Sequence, residues 1–463
     1  MAAKNGNMSS GTCQLAGEGQ PLGRDERDVG PMRLEGLCRS MTAKTPEHED
    51  ATRHGVRNVF FLGMVSLFTD LSSQMIYPLV PVFLSGLGVG TAIIGLIEGI
   101  AESTASLLRT VFGGWSDRVG KRKAFIYLGY GLSAVSKPFL FLAHSWPPVL
   151  GVRFADRVGK AARTPARDAL ISTSVRVNNK GKAFGFHRAM DRLGAVGGPL
   201  LALLVLHLFR HKEDAVRLVF LFAFIPAALA LVFVPFARET AREVSRKPDG
   251  KATGLKAPAF ILFLVATIVF TLGNSSNAFL ILKAREAGLK VTMIPLIWVA
   301  YNLSCSISSP IFGTLSDRLG RVPVIGASFL YYSLVYLLFG LSRSLWAVWA
   351  LFGAYGIYYG LSEGVFRAYI ADLVEPERRA TAYGLFNTGI GLALLPASLI
   401  FGGIWQAVGS RWAFFASAGF SMLGFLVFLA GLVVRGKRNA RVGLGEADAG
   451  GAQAAAEGGA DAN

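Results

Sequence analysis

Charge and cysteine are scarce in this 463-residue chain: Asp, Glu, Lys and Arg together make up 17% of it, and three cysteines are present. A soluble domain averages roughly 25% charged residues. Cys13, Cys38 and Cys305 form no Cys-x-x-Cys pair and no disulfide framework. The six histidines are scattered and give no metal-binding pattern. No glycine loop followed by Lys-Ser or Lys-Thr is present to cradle a nucleotide phosphate, and no nucleophile, base and orienter stand in a recognisable set. These absences argue against an enzyme, a resident metal or cofactor, and ATP as a direct energy source.

What is abundant is apolar. Hydrophobic residues make up 52% of the chain, and the mean hydropathy is +0.45. The apolar stretches recur near the ~20 residues that cross a ~30 Å hydrocarbon layer. Twelve spans are expected, near 59–84, 91–112, 123–143, 147–173, 183–208, 216–236, 259–282, 291–312, 322–341, 345–371, 382–407 and 411–434. Each must be a helix, because unmet backbone hydrogen bonds are too costly in lipid and the segments are too long for barrel strands. The ends, 1–58 and 436–463, read as loose tails, and 237–258 as a connector between two six-helix halves, 59–236 and 259–435.

A formal net charge of +17 could signal nucleic acid, but the basic residues sit in short loops between apolar segments. Arg118, Lys121, Arg122 and Lys123 share one loop, Arg176, Lys180 and Lys182 another, and the connector adds Arg238, Arg242 and Arg246. Loop 85–90 has no Lys or Arg. Positive-inside bias then places both termini in the cytoplasm without any nucleic-acid partner. The stretch Arg210, His211, Lys212 and Arg217 is an exception, partly offset by Glu213 and Asp214.

The two halves repeat. Gly114-Trp115-Ser116-Asp117-Arg118-Val119-Gly120-Lys121 recurs as Thr314-Leu315-Ser316-Asp317-Arg318-Leu319-Gly320-Arg321. Lys182-Ala183-Phe184-Gly185 corresponds in the same order to Thr381-Ala382-Tyr383-Gly384. Duplicated halves rocking about a midplane site are a recurrent transporter construction.

On these residues the chain resembles the major facilitator superfamily over roughly 59–435. The resemblance implies an all-α polytopic membrane protein of twelve helices in two six-helix halves, in a bacterial inner membrane. It also implies that the two loops, with Gly114, Asp117, Arg118, Gly120, Lys121 and Arg122 in one and Asp317, Arg318, Gly320 and Arg321 in the other, act as a conformational latch. In the fifth span Gly185, Gly194, Gly198 and Pro199 match the spacing G-x8-G-x3-G-P, which resembles the motif of exporters in this superfamily. The usual Gly-Gly ending is Ala202-Leu203 here. Small residues at this spacing also serve ordinary helix packing.

The fourth span is unusually charged. At ~100° per residue, Arg153, Asp156, Arg157, Lys160, Arg163, Arg167 and Asp168 fall within about 140° of arc, on one helix face. Three readings stand: contact with an anionic or zwitterionic solute, pairing with Glu98 and Glu102 of the second span, or a charged mouth used in gating. Asp70, Glu98 and Glu102 are the candidate proton carriers, since burial disfavours a charged carboxylate. For Asp70 the alternative is a structural carboxylate bonded to Ser72, Ser73 or a neighbouring helix. In the second half Asn274 and Asn277 can face the cavity, and Tyr355, Tyr359, Glu363 and Arg367 descend the tenth span at i,i+4 spacing. The sequence thus leads to a monomer-capable, proton-coupled exporter of a small organic solute, with lipid its surrounding partner. Import of an anionic nutrient or metal chelate, and a non-transporting sensor or assembly protein, are the alternatives.

Overall fold

Helices in this chain begin and end at glycine and proline punctuation, and the punctuation itself repeats. Gly88 and Gly288, with φ of 75° and 94°, close the loops after the first and seventh spans. Gly120 and Gly320, at 73° and 89°, close the loops after the second and eighth. Each pair is 200 residues apart, and a side chain would be strained at that backbone conformation. The internal repeat seen in the motifs therefore extends to the backbone.

A computed structural model describes residues 46–176, 179–239, 258–375 and 378–433. Two compact units divide the chain, Met1–Ala51 and Thr52–Asn463, and the helices below belong to the second. The first half contains α1 (Gly55–Gly86), α2 (Thr91–Val119), α3 (Arg122–Ser136, extended by a tight turn Lys137–Leu140), α4 (Trp146–Ser174), α5 (Lys180–Leu208) and α6 (Ala215–Phe236). The second contains α7 (Pro258–Glu286), α8 (Val291–Leu319), α9 (Arg321–Leu341), α10 (Leu345–Leu373), α11 (Arg379–Val408) and α12 (Ser410–Val433). The tails expected at 1–58 and 436–463 and the connector at 237–258 lie largely outside the described residues, although the first tail is helical from Pro46 onward, where the helix Pro46–Ile76 begins.

Nine of these helices are long and apolar enough to cross a membrane. The other three fall short for reasons that concern the interior. Helix α3 has only 15 α-helical residues before its tight turn, α4 carries the charged face, and α10 is lowered by its tyrosines, glycines and tryptophans. Leu200, Leu204 and Leu208 on α5, and Leu334, Leu338 and Leu341 on α9, are exposed apolar residues whose spacing gives each helix a continuous lipid-facing stripe.

The halves meet most tightly between α2 and α11. Where the helices cross, a methyl group on Gly95 would stand 2.3 Å from the Ser398 carbonyl oxygen, and one on Gly402 would stand 2.5 Å from that of Thr91. Only glycine permits this approach. Thr91 donates to the Gly402 carbonyl at 3.0 Å, the Ala92 amide donates to Gln406 Oε1 at 3.1 Å, and Ser106 donates to the Asn387 carbonyl at 2.7 Å. Trp298 Nε1 on α8 donates to Gln74 Oε1 on α1 at 2.8 Å, and the Tyr77 and Trp298 rings lie 5.2 Å apart. The end carrying Gly88, Gly288 and Gly409, the far end, is thereby closed across both halves. The end carrying Gly120 and Gly320, the near end, is the one toward which the charged residues between the halves become exposed.

Candidate functional site: a charged cavity between the halves

Helices α1 and α7 are interrupted at corresponding places. Tyr77-Pro78-Leu79 forms a turn inside α1 because Pro78 cannot donate the hydrogen bond that would continue the helix. Asn274–Asn277 leaves helical geometry between Gly273 and Ala278 in α7. The freed groups find partners: Tyr332 donates to the Gly273 carbonyl at 3.0 Å and to Asn274 Oδ1 at 3.2 Å, and Tyr355 donates to Asn277 Oδ1 at 2.6 Å. Paired broken helices mark the binding region in many duplicated transporters.

A cavity of about 380 Å³ opens at this level. Its cations are Lys137, Arg153, Arg157, Lys160, Arg163, Arg188 and Arg192, and its carboxylates are Asp70, Glu102, Asp156, Asp191 and Glu363. The first half supplies every one of these charges except Glu363. From the second half come Asn277, Trp298, Tyr301, Asn302, Cys305 and Tyr359. One wall is charged and the other aromatic and polar.

The charges pair selectively. Arg153 Nη2 donates to Glu98 Oε1 at 2.7 Å and Oε2 at 2.6 Å, and its guanidinium lies 5.3 Å from the Tyr77 ring centre. Glu98 is 1% exposed and stands behind the cavity wall, where Ser276 on α7 also donates to it at 3.3 Å. Arg157 lies 3.4 Å from Glu102 and 3.8 Å from Asp156. Arg188 and Arg192 on α5 reach Glu363 on α10 at 3.5 and 3.7 Å, crossing from one half to the other, and Arg192 also donates to the Cys305 sulfur at 3.1 Å. Arg167 pairs with Asp168 at 2.9 Å and donates to Ser66 at 3.0 Å, and Ser66 in turn donates to Asp191 at 2.5 Å.

Of the residues singled out by sequence, Asp70, Glu102, Arg153, Asp156, Arg157, Lys160, Arg163, Asn277, Tyr359 and Glu363 line this one cavity. Glu98, Arg167, Asp168, Asn274, Tyr355 and Arg367 are outside its wall. Asn274 and Tyr355 are bound to neighbouring side chains, and Arg367 sits 3.7 Å from Glu363 at 50% exposure. Ser72 and Ser73 hold Lys137 rather than Asp70. Sequence reasoning missed Lys137, Arg188, Asp191, Arg192, Trp298 and Tyr301. Lys137 had a readable signal, a lone charge inside an apolar span; the others became visible only once α5 and α8 faced each other.

The near-end loops differ in detail. Arg321 pairs with Asp317 at 2.6 Å and Asp372 at 3.3 Å, joining the α8–α9 loop to α10. Asp117 is exposed and makes no ion pair among the described residues. Arg122 donates instead to Thr173 on α4 at 3.0 Å, and Glu239 accepts from the Arg122 and Lys123 amides at 3.0 Å each. Gly114, Asp117 and Arg118, expected in a loop, lie in the last turns of α2, which runs on to Val119, and they and Lys121 are surface positions. On α5, a methyl group at Gly194 or Gly198 would stand 2.7 Å and 2.4 Å from α1 carbonyl oxygens, so both seat α5 against α1. Gly185 has open space around it, and Pro199 is buried inside the helix.

Known proteins agree with this architecture. The sequence profile of the Major Facilitator Superfamily matches residues 62–272 and again 259–456. An uncharacterized MFS-type transporter of Methanocaldococcus jannaschii is 36% identical over 357 residues, covering 76% of this chain and 89% of the relative. The multi-drug resistance efflux pump PmrA of Streptococcus pneumoniae is 25% identical over 291 residues, 59% of this chain and 70% of the pump. In fold, a bacterial homolog of the human lysosomal transporter Spinster, in an inward-facing and unoccupied conformation, superposes with a TM-score of 0.66 at 19% identity, covering 82% of this chain and 97% of that one. A duplicated twelve-helix bundle, paired near-end loops and a cavity at the junction of its halves go with these matches: the chain is a multi-pass membrane transporter and belongs to the Major Facilitator Superfamily.

Proposed function

We propose that this transporter moves a small organic solute by alternating access, coupled to protons, and works without an enzyme activity or a cofactor. The observation that carries the reading is the cavity itself: charged, set between two repeated halves at paired helix breaks, and closed at one end only. With the basic loops on the cytoplasmic side, both termini are cytoplasmic and the cavity faces inward. Asp70 is the leading proton carrier, because it lines the cavity and makes no hydrogen bond or ion pair among the described residues. Glu102 is engaged by Arg157, and Glu98 is locked to Arg153.

Export is the direction supported by similarity to PmrA, an efflux pump, and by Gly194, Gly198 and Pro199 on α5. Import of an anionic solute is the second reading, favoured by the excess of cations on the cavity wall. Membrane vesicles of both orientations, offered a mass-detected mixture of organic acids, amines and neutral aromatics, separate the two. Export predicts proton-gradient-dependent accumulation in everted vesicles, and import predicts it in right-side-out vesicles. Absence of flux above protein-free controls in both would overturn the transport reading in favour of a sensor or assembly role.

A further inference from the structure

We infer that the solute is an amphipathic organic anion, its acidic group held by Lys160, Arg163 and Lys137 and its apolar body laid on the aromatic wall of α8 and α10. The inference rests on the transport reading and names the substrate class for the same cavity.

Four of the seven cavity cations lie within 4 Å of a carboxylate: Arg153 and Arg157 beside Glu98 and Glu102, and Arg188 and Arg192 sharing Glu363. The remaining three do not. Lys137 Nζ is held by two neutral hydroxyls, Ser72 at 2.7 Å and Ser73 at 3.1 Å. Arg163 is held by the Ser133 hydroxyl and stacks 4.7 Å from the Tyr130 ring centre. Lys160 lines the cavity, and its ammonium makes no hydrogen bond or ion pair among the described residues. Serine and tyrosine orient a cation without cancelling its charge, which is what a site for an incoming anion requires. Two cavity carboxylates, Asp70 and Asp191, have no lysine or arginine paired to them among the described residues, so three cations stand against two carboxylates and the cluster keeps an excess of positive charge that a bound anion would neutralise.

The opposite wall fits the rest of such a molecule. Trp298 and Tyr301 rings lie 4.5 Å apart, and Tyr359 meets Tyr301 edge to face at 5.8 Å. These rings line the cavity on the second half, with Trp298 and Tyr301 buried and Tyr359 half-buried, while the cations belong to the first. A solute with an acid at one end and a ring at the other therefore spans the junction, and binding it links the two halves. A cavity of about 380 Å³ is within the range that encloses such small molecules.

The test uses three probes of one shape and different charge: 2-naphthoate, 2-naphthamide and 2-naphthyltrimethylammonium, titrated against the purified full chain in detergent. The inference predicts that naphthoate binds about tenfold or more tightly than either companion, that Lys160→Gln and Arg163→Gln each remove most of that preference, and that Lys160→Arg keeps it. Equal binding of the three, or preference for the ammonium, overturns the inference. A preference for naphthoate unchanged in both glutamine variants overturns the placement. Because Lys160 holds no other side chain, its loss leaves no partner stranded, and a folding defect is recognised by loss of 2-naphthamide binding as well. Tight naphthoate binding without vesicle flux would leave the anion site standing and remove the transport reading; flux of amines or neutral solutes without naphthoate binding would do the reverse.

Discussion

Glu98→Gln is the perturbation whose cost follows most directly from the geometry. Glu98 and Arg153 are 1% and 5% exposed and share two hydrogen bonds of 2.6 and 2.7 Å. Neutralising the carboxylate leaves a guanidinium buried against Tyr77 with no counter-charge. Breaking one side of a buried ion pair costs about 3–5 kcal/mol, whereas replacing both partners with apolar residues of similar volume is often neutral. Equilibrium unfolding in mixed micelles, followed by helical circular dichroism, should therefore show a loss of about 3–5 kcal/mol for Glu98→Gln. The double variant Glu98→Leu with Arg153→Met should recover most of it. A single variant within about 0.5 kcal/mol of wild type, or a double variant equal to the sum of its parts, would refute the assignment of this pair as a coupled buried unit.

Other consequences are testable in the same preparation. Asp70→Asn should abolish proton-driven accumulation while solute exchange down its own gradient persists; unchanged accumulation would move the coupling elsewhere. Arg321→Gln breaks the ties of a half-buried arginine to the exposed carboxylates Asp317 and Asp372, so unfolding free energy should change by less than about 1 kcal/mol while the transport rate falls. Gly198→Val should destabilise the protein by about 1–3 kcal/mol through overpacking, because its first added carbon meets the Leu71 carbonyl oxygen at 2.4 Å.

Much of the architecture was legible because lipid imposes a simple code: length, apolarity and basic loops gave twelve spans and two halves. The repeated Ser-Asp-Arg-x-Gly motif predicted a duplication that the backbone glycines at 88, 120, 288 and 320 then displayed. The charged face of α4 was equally visible, but its meaning was not. Helical periodicity places Arg153, Arg157, Lys160 and Arg163 on one face, yet only the positions of α2 and α3 decide that Glu98 and Glu102 take the first two and leave the others to serines or to nothing. The aromatic wall was hidden for the same reason. Trp298 and Tyr301 carry no sequence signal of their own until α8 is seen opposite α5, and Pro78 carries none until α7 shows a break in the matching place.

The central claim, that two halves sealed at the far end rock against each other, meets its most direct test at Gly402. A methyl group there would press to 2.5 Å on the Thr91 carbonyl oxygen, a strain of about 1–3 kcal/mol confined to the far-end closure, enough to shift conformational populations roughly 5–150-fold. Spin-label distances in lipid vesicles read both ends of the molecule: Ser85 to Arg411 across the far end and Val119 to Leu319 across the near end, all four exposed. Gly402→Ala should lengthen the first distance and shorten the second together. Lengthening at the far end with an unchanged near end, or no change at either, would contradict alternating access in this protein.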